Sequence, residues 1–146
     1  YSTEDLARMT GLDASEVEAA IADLEADGVV RGYRPVVDWE STDRERVRAV
    51  VEVNVELDRE TGYADVAERL AGYDAVDTLR LVSGDYDFHV EVRGESMRDV
   101  SAFIADEVAP LPAVTQTVTH YVMTTYKESG VDFGDGDDDD RLSVSP

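Results

Sequence analysis

The sequence contains no cysteine, and its only lysine is Lys127. The lack of cysteine excludes disulfide bonds and thiolate metal sites, and nothing points to an oxidising compartment. No apolar run is long enough to span a bilayer, and no signal-peptide pattern opens the chain. These absences predict a cytoplasmic protein without a membrane partner.

Negative charge, by contrast, is present in excess. The 146 residues carry a formal net charge of −21, from 34 acidic and 13 basic residues. Self-repulsion of this size weakens a compact state in dilute salt, and concentrated salt screens it. The balance therefore indicates a halophilic protein, with an ordinary acidic protein as the alternative.

Two short helices are predicted at the start of the chain. Ser2 and Asp5 have the spacing of a capping box, and Gly11 suits the left-handed residue that ends a helix. Asp13, with Glu16 three residues later, begins a second helix, which carries a single apolar stripe. The pattern indicates a helix, a glycine turn and a second helix.

The stretch that follows, residues 29–37, has the pattern of a small two-stranded ribbon. Two helices and a ribbon, in this order, are typical of a winged helix-turn-helix, which we assign to residues 1–38. The usual three-helix form needs one more helix in front. Because the sequence begins at Tyr1 rather than Met, we expect that helix to be missing from it. A polar connector follows at residues 39–46.

A second domain is predicted at residues 47–128, where the pattern is β-α-β-β-α-β. Its clearest part is a hairpin with residues 83–87 at the tip and strict apolar–polar alternation in the strand that follows. The last strand is expected over residues 114–126. Two helices between four strands, with right-handed crossovers, give a ferredoxin-like unit. The fold class is therefore α+β, a winged helix-turn-helix joined to a ferredoxin-like domain.

One face of this sheet is expected to be polar. Both helices cover the face that carries Phe88, Val90 and Val92. The opposite face presents a mixed set: Arg48, Val50, Glu52, Asn54, Asp87, His89 and Glu91. An antiparallel sheet can leave such a face in water or close it against a symmetric copy. The residues alone do not choose between these two states.

Residues 129–146 lack periodicity and are dense in aspartate, which predicts a disordered acidic tail. Solvation is the expected role of such a tail. Calcium binding is the alternative, but the spacing matches no EF-hand loop, which needs a glutamate at its twelfth position. We therefore expect no metal site.

The second helix is an unusual DNA-recognition helix. Its outward positions include Ser15, Glu16 and Ala19, and no basic residue occurs from residue 10 to residue 30. A phosphate backbone repels such a surface, since phosphate neutralisation usually supplies much of the affinity. In molar salt, however, the Debye length falls to about 3 Å, and glutamate can accept a hydrogen bond from cytosine N4.

Basic residues are concentrated just after this helix. Residues 31–48 carry five arginines against four carboxylates, a balance of +1, whereas the remainder of the chain carries −22. Our hypothesis is that Arg31 and Arg34, helped by Arg8, bind phosphate while the helix lies in the groove. Three further arginines can instead pair with nearby carboxylates: Arg44, Arg46 and Arg48.

In this order and at this spacing, the residues resemble those of the Lrp/AsnC (feast/famine) transcriptional regulators over about residues 2–128. The matching words are Leu6-Ala7, Thr10-Gly11-Leu12, Val17, Ile21, Leu24-Glu25, Asp27-Gly28-Val29-Val30, Gly32-Tyr33, Ser83-Gly84-Asp85-Tyr86-Asp87, Thr117-Val118-Thr119-His120-Tyr121-Val122 and Tyr126-Lys127. The acidity is similar to that of haloarchaeal proteins. The resemblance implies a protein that is not an enzyme, and we expect no cofactor other than a possible amino-acid effector.

The resemblance implies a regulator that binds double-stranded DNA. Its C-terminal domain, called the RAM or ligand-sensing domain, dimerises through its sheet, and the dimers often assemble into octamers. An amino acid or related effector binds near the hairpin, so the site would comprise Ser83, Gly84, Asp85, Tyr86 and Asp87. Turn N–H groups can hold a carboxylate, and an aspartate can accept from an α-ammonium group. Alternatively, the glycine and the first aspartate only form the turn, and the tyrosine packs.

Two competing functions are open. Siroheme decarboxylases share this two-domain plan, with His89 and His120 as conceivable proton donors. A site for a substrate with many carboxylates should be basic, however, and Asp87 and Glu91 flank His89 instead. The other alternative is an effector-sensing scaffold whose acidic helix has lost its affinity for DNA.

Overall fold

The computed structural model describes residues 1–134. The chain divides into two compact units, Tyr1–Pro35 and a second unit that begins at Val36. Their boundary lies three residues before the predicted end of the DNA-binding domain. No helix within residues 1–134 has the length and apolar character needed to cross a membrane.

The N-terminal unit contains the two predicted helices, α1 (Thr3–Thr10) and α2 (Ala14–Ala26). The predicted capping box is confirmed, because the Ser2 hydroxyl accepts from the Asp5 N–H and the Asp5 carboxylate accepts from the Ser2 N–H. Gly11 ends α1 with a φ of 75°, a left-handed conformation that favours glycine. Local side-chain and backbone caps therefore set the ends of α1, as the sequence predicts.

The predicted wing is not formed, although every residue from 29 to 37 is described. Val29 and Val30 both donate their N–H groups to the Leu24 carbonyl oxygen, so these donors close α2 instead of pairing with a strand. Pro35 has no N–H, and an isolated two-stranded ribbon is only marginally stable in water. The unit is therefore a helix–turn–helix followed by an irregular segment.

The C-terminal unit has the expected ferredoxin-like order. Its elements are β1 (Val47–Val55), α3 (Tyr63–Ala71), β2 (Val76–Leu81), β3 (Phe88–Gly94), α4 (Met97–Phe103), a π-helical turn (Ile104–Val108) and β4 (Val114–Tyr121). The sheet order is β2-β3-β1-β4, with every neighbouring pair antiparallel. A short 3-10 turn, Trp39–Ser41, precedes β1.

The core lies on one face of this sheet. Val51 and Val53 of β1 and Phe88, Val90 and Val92 of β3 are buried, as their alternation predicts. The intervening residues of both strands are half-buried on the other face. Ser96 caps α4, because its hydroxyl accepts from the Asp99 N–H. The sheet therefore has an apolar face under the helices and a separate polar face.

Two boundaries near the C-terminus differ from the predictions. β4 ends at Tyr121, five residues early. A two-stranded ribbon joins β5 (Lys127–Glu128), at the end of the predicted second domain, to β6 (Val131–Asp132), at the start of the predicted disordered tail. Ser129 and Gly130 form the tight turn of this ribbon with positive φ angles. The aspartate-rich stretch from residue 135 onward lies outside the described residues.

Candidate functional site: the β2–β3 loop and the polar sheet face

The predicted effector residues lie in one loop, residues 82–87, between β2 and β3. The hairpin is confirmed by its register, in which Leu81 pairs with Phe88. Gly84 has a φ of 125°, and a Cβ built on it would meet no atom within 4 Å. The backbone conformation, rather than lack of space, therefore favours glycine at this position. Ser83 and Asp85 are exposed.

Asp87 holds this loop to the end of β1. Its Oδ2 accepts from the Val55 N–H at 2.9 Å, and its Oδ1 lies 3.5 Å from the Tyr63 hydroxyl. The register between β1 and β4 shifts at Asn54/Val55. Because the Asp87 carboxylate has a partner inside the domain, it does not need a ligand to balance its desolvation.

The tip of the loop keeps unused backbone donors. Within residues 1–134, the N–H groups of residues 83–86 donate to no carbonyl or side-chain oxygen. The loop is nevertheless positioned, since the Asn54 amide donates to the Asp85 carbonyl oxygen at 3.3 Å. A fixed turn with free N–H groups and an exposed carboxylate, Asp85, can bind both ends of a zwitterion.

The polar sheet face carries both histidines of the chain. His89 Nε2 lies 3.2 Å from Glu91 Oε1, and His120 Nε2 lies 2.9 Å from Glu52 Oε2. Arg80 is 3.9 Å from the Glu91 carboxylate. His89 is directly opposite Glu52 on β1 and Arg80 on β2. The strands therefore place cationic and anionic groups side by side across the sheet.

Glu91 has the one resolved pKa shift on this face. Burial raises its pKa, but hydrogen bonds from His89 and Thr78, together with the charges of His89 and Arg80, more than offset that effect. The net result is a pKa below the ordinary value of 4.5. The carboxylate is thus held in its charged form beside His89.

The contacts of the two histidines bear on the enzymatic alternative. Each histidine contacts a carboxylate rather than a cation, so the face does not have the basic character that a polycarboxylate substrate needs. The described part of the chain contains no group of three potential metal-ligating side chains. The arrangement favours a hydrogen-bonded surface over a proton-transfer site.

The predicted DNA-binding residues are exposed on the N-terminal unit. Arg8 forms an ion pair with Asp5 at 2.5 Å. The Glu16 carboxylate accepts from the Asp13 N–H at 2.8 Å, so it caps α2. The other members of the predicted set are Ser15, Ala19, Arg31 and Arg34. The cap draws the Glu16 carboxylate to the start of its own helix, which limits its reach toward a base.

The three arginines around the start of β1 differ in their contacts. Arg48 forms an ion pair with Glu128 at 2.5 Å, which confirms that alternative for this residue. The Arg46 guanidinium stacks 3.9 Å from the centre of the Trp39 ring. Sequence analysis missed this stack, although an arginine seven residues from the sole tryptophan was a visible signal. Arg44 lines an open cleft nearby.

Comparison with known proteins places these features in a family. Residues 48–132 match the family described as the Lrp/AsnC ligand binding domain. The uncharacterised HTH-type transcriptional regulator YugG of Bacillus subtilis is 40% identical over 144 residues, which are 98% of this chain and 87% of YugG. HTH-type transcriptional regulator FL11 of Pyrococcus abyssi is 28% identical over 125 residues, which are 86% of this chain and 80% of FL11.

A solved structure shares the fold. It is the transcriptional regulator NMB0573 of Neisseria meningitidis in complex with L-Met, with a TM-score of 0.70 and 18% identity. The match covers 92% of this chain and 86% of the regulator. The family match over more than half of the chain and the extensive identity to YugG agree with the strand order and the hairpin. The chain belongs to the Lrp/AsnC family of transcriptional regulators.

Proposed function

We propose that this regulator binds double-stranded DNA through its helix–turn–helix unit and senses an amino acid at the Ser83–Asp87 loop. The observation that carries the effector site is the fixed turn with unused N–H groups next to the exposed Asp85 carboxylate. These groups complement the α-carboxylate and α-ammonium groups of an amino acid. The related Neisseria regulator was solved with L-Met, which makes methionine the first ligand to test.

Assembly through the polar sheet face is a further part of the proposal. The β1 and β3 residues of that face are half-buried within a single chain, and its ionic groups have partners on the same strand or on a neighbouring strand. A second copy, related by a two-fold axis, would bury it without unpairing those charges. Sedimentation of the full chain in concentrated potassium chloride tests this, and a monomer at all concentrations would contradict it.

Calorimetric titration of the full chain with L-methionine, and then with the other amino acids, tests the effector site. The Asp85→Asn substitution removes the charged acceptor, and we expect about tenfold weaker binding, because hydrogen bonds to charged groups contribute about 1.5–3 kcal/mol. Asp106→Asn, on the exposed π-helical turn, is the matched control and should bind as the wild type does. Equal affinity in both variants would rule out the loop as the site.

Selection of DNA fragments by the full chain in concentrated potassium chloride tests the DNA-binding role. On the selected fragments, the double variant Arg31→Ala/Arg34→Ala should lower the slope of log affinity against log salt by about 0.9 for each lost phosphate contact. Arg59→Ala, in the β1–α3 loop, serves as a control for the loss of a positive charge. If no fragment is retained, the acidic α2 belongs to a scaffold rather than to a DNA reader.

A further inference from the structure

A cleft of about 580 Å³ lies in the C-terminal unit, at the start of β1 and the end of β3. It is lined by Arg44, Glu45, Arg46, Arg93, Gly94 and Glu95. Three guanidinium groups face two carboxylates there, in a chain whose net charge is −21. Because Arg93 is itself paired with Asp77, the cleft is close to neutral, and an anion that enters it meets less repulsion than at most of the surface of this acidic chain.

Two of the nearby arginines are already engaged. Arg93 forms an ion pair with Asp77, and Arg48 forms one with Glu128. Within the described chain, neither Arg44 nor Arg46 pairs with a carboxylate. These last two side chains are the ones available to an anion from outside.

Trp39 holds Arg46 in a defined orientation. The stack, 3.9 Å from the ring centre, uses the face of the guanidinium and leaves the N–H groups at its edge able to donate. The turn that carries Trp39 is held in place, because the Asp38 carboxylate accepts from the Glu40 N–H and from the Ser41 hydroxyl. A planar donor fork is therefore in place before an anion arrives, which reduces the entropy lost on binding.

We propose that Arg44 and Arg46 bind backbone phosphates of the DNA, with Trp39 as a positioning residue for Arg46. This inference rests on the proposed DNA binding and adds a contact outside the helix–turn–helix unit. Charge complementarity favours DNA, because residues 31–48 carry a balance of +1, whereas the remainder of the chain carries −22. Phosphate contacts supply affinity that does not depend on the base sequence, and the acidic α2 lacks basic residues that could make such contacts.

Fluorescence anisotropy with the selected DNA, over a range of potassium chloride concentrations, tests the proposal. Arg44→Ala and Arg46→Ala should each weaken binding about tenfold or more, the loss expected for one charge-assisted hydrogen bond. Each should also lower the salt slope by about 0.9. Trp39→Leu should weaken binding less than Arg46→Ala and keep the salt slope, because the charge remains. Arg59→Ala, beyond the opposite end of β1, should match the wild type.

Trp39 also supplies an internal reporter, since it is the only tryptophan in the chain. Its emission should change on DNA addition with the same midpoint as the anisotropy, in the wild type and in Arg59→Ala. Arg46→Lys retains the charge but not the planar fork, so it should bind DNA less tightly than the wild type while melting at the same temperature.

The outcomes separate this inference from the proposed function. If the wild type binds DNA and the Arg44 and Arg46 variants bind it equally well, this contact is wrong and the proposed function stands. A wild type that binds no DNA overturns both. A Trp39 emission change with inorganic pyrophosphate, but none with bound DNA, would identify a small-anion site and overturn the contact with DNA.

Discussion

The two units of the chain differ in what holds them together. Among the described residues, the N-terminal unit buries one hydrophobic side chain, Val17, whereas the C-terminal unit buries twelve. The N-terminal helices rely on caps, and Met9 and Leu12 are exposed at their junction. The sensing domain therefore has its own packed core. The N-terminal unit, which buries little apolar surface, depends more on its helix caps and on electrostatic conditions.

The largest expected effect comes from the core of the C-terminal unit. Phe88 is 1% exposed and packs edge-on against Tyr63, so Phe88→Ala leaves a cavity in the core between the sheet and α3. We expect a loss of about 3–5 kcal/mol in the free energy of unfolding, measured by urea denaturation. Met123→Ala, at a side chain that is 91% exposed, is the control and should unfold like the wild type. An unchanged midpoint for Phe88→Ala would place the core elsewhere.

The next effect tests the connection between β1 and the effector loop. Asp87→Ala leaves the Val55 N–H without its acceptor, at a cost of about 1–3 kcal/mol in unfolding free energy. Asp87→Asn retains an oxygen that can accept the same hydrogen bond and should recover much of the stability. If Asp87→Asn is as unstable as Asp87→Ala, charge rather than the hydrogen bond holds the loop.

The stability of the two units should respond differently to salt. Residues 1–35 carry three arginines and eight carboxylates, a net charge of −5, with little core to resist their repulsion. Raising potassium chloride from 0.1 M to 1 M shortens the Debye length from about 10 Å to about 3 Å. We expect the melting temperature to rise by about 4 °C or more, which is about 1 kcal/mol for a domain of 60–100 residues.

Amide hydrogen exchange shows which unit is stabilised by the added potassium chloride. Protection should increase more in α1 and α2 than in β1 and β3, since the strands are held by burial. A uniform increase across both units would contradict the comparison. No response to salt at all would remove the case for adaptation to concentrated salt.

The smallest effect concerns pH. Because the pKa of Glu91 is lowered in the folded state, its contribution to stability is complete above its ordinary value of 4.5. That contribution is lost as the pH falls through the lowered pKa. Acid unfolding should therefore be less steep in Glu91→Gln, whereas Glu68→Gln on α3 should follow the wild type. A wild-type profile for Glu91→Gln would mean that the contact with His89 contributes nothing to stability.

The sequence predicts the parts of the fold that have local causes. Alternation identifies the buried residues of β1 and β3, and the caps at Ser2 and Gly11 follow from side-chain chemistry and φ preference. The missing wing has a cause that sequence spacing does not reveal. The N–H groups of Val29 and Val30 are used by the end of α2. The early end of β4 and the β5–β6 ribbon likewise depend on contacts between segments.

The candidate site was predictable to a similar degree. The glycine of the loop marks its position, because few other residues adopt the φ of Gly84. The partner of Asp87 was not predictable, since it depends on the register between β1 and β3, which is a property of paired strands. The Arg46–Trp39 stack could have been proposed from the sequence, because the two residues are close in the chain. The sequence does not, however, show whether Arg46 stacks on Trp39 or pairs with a carboxylate.

The alternation in β1 has a consequence for how the protein can change. Val51 and Val53 belong to the packed interior, whereas Glu52 and Asn54, their immediate neighbours, belong to the other side of the sheet. A substitution at one set alters folding, and a substitution at the other alters what the sheet associates with. A single nine-residue strand thus allows the stability of the fold and the choice of binding partner to change separately during evolution.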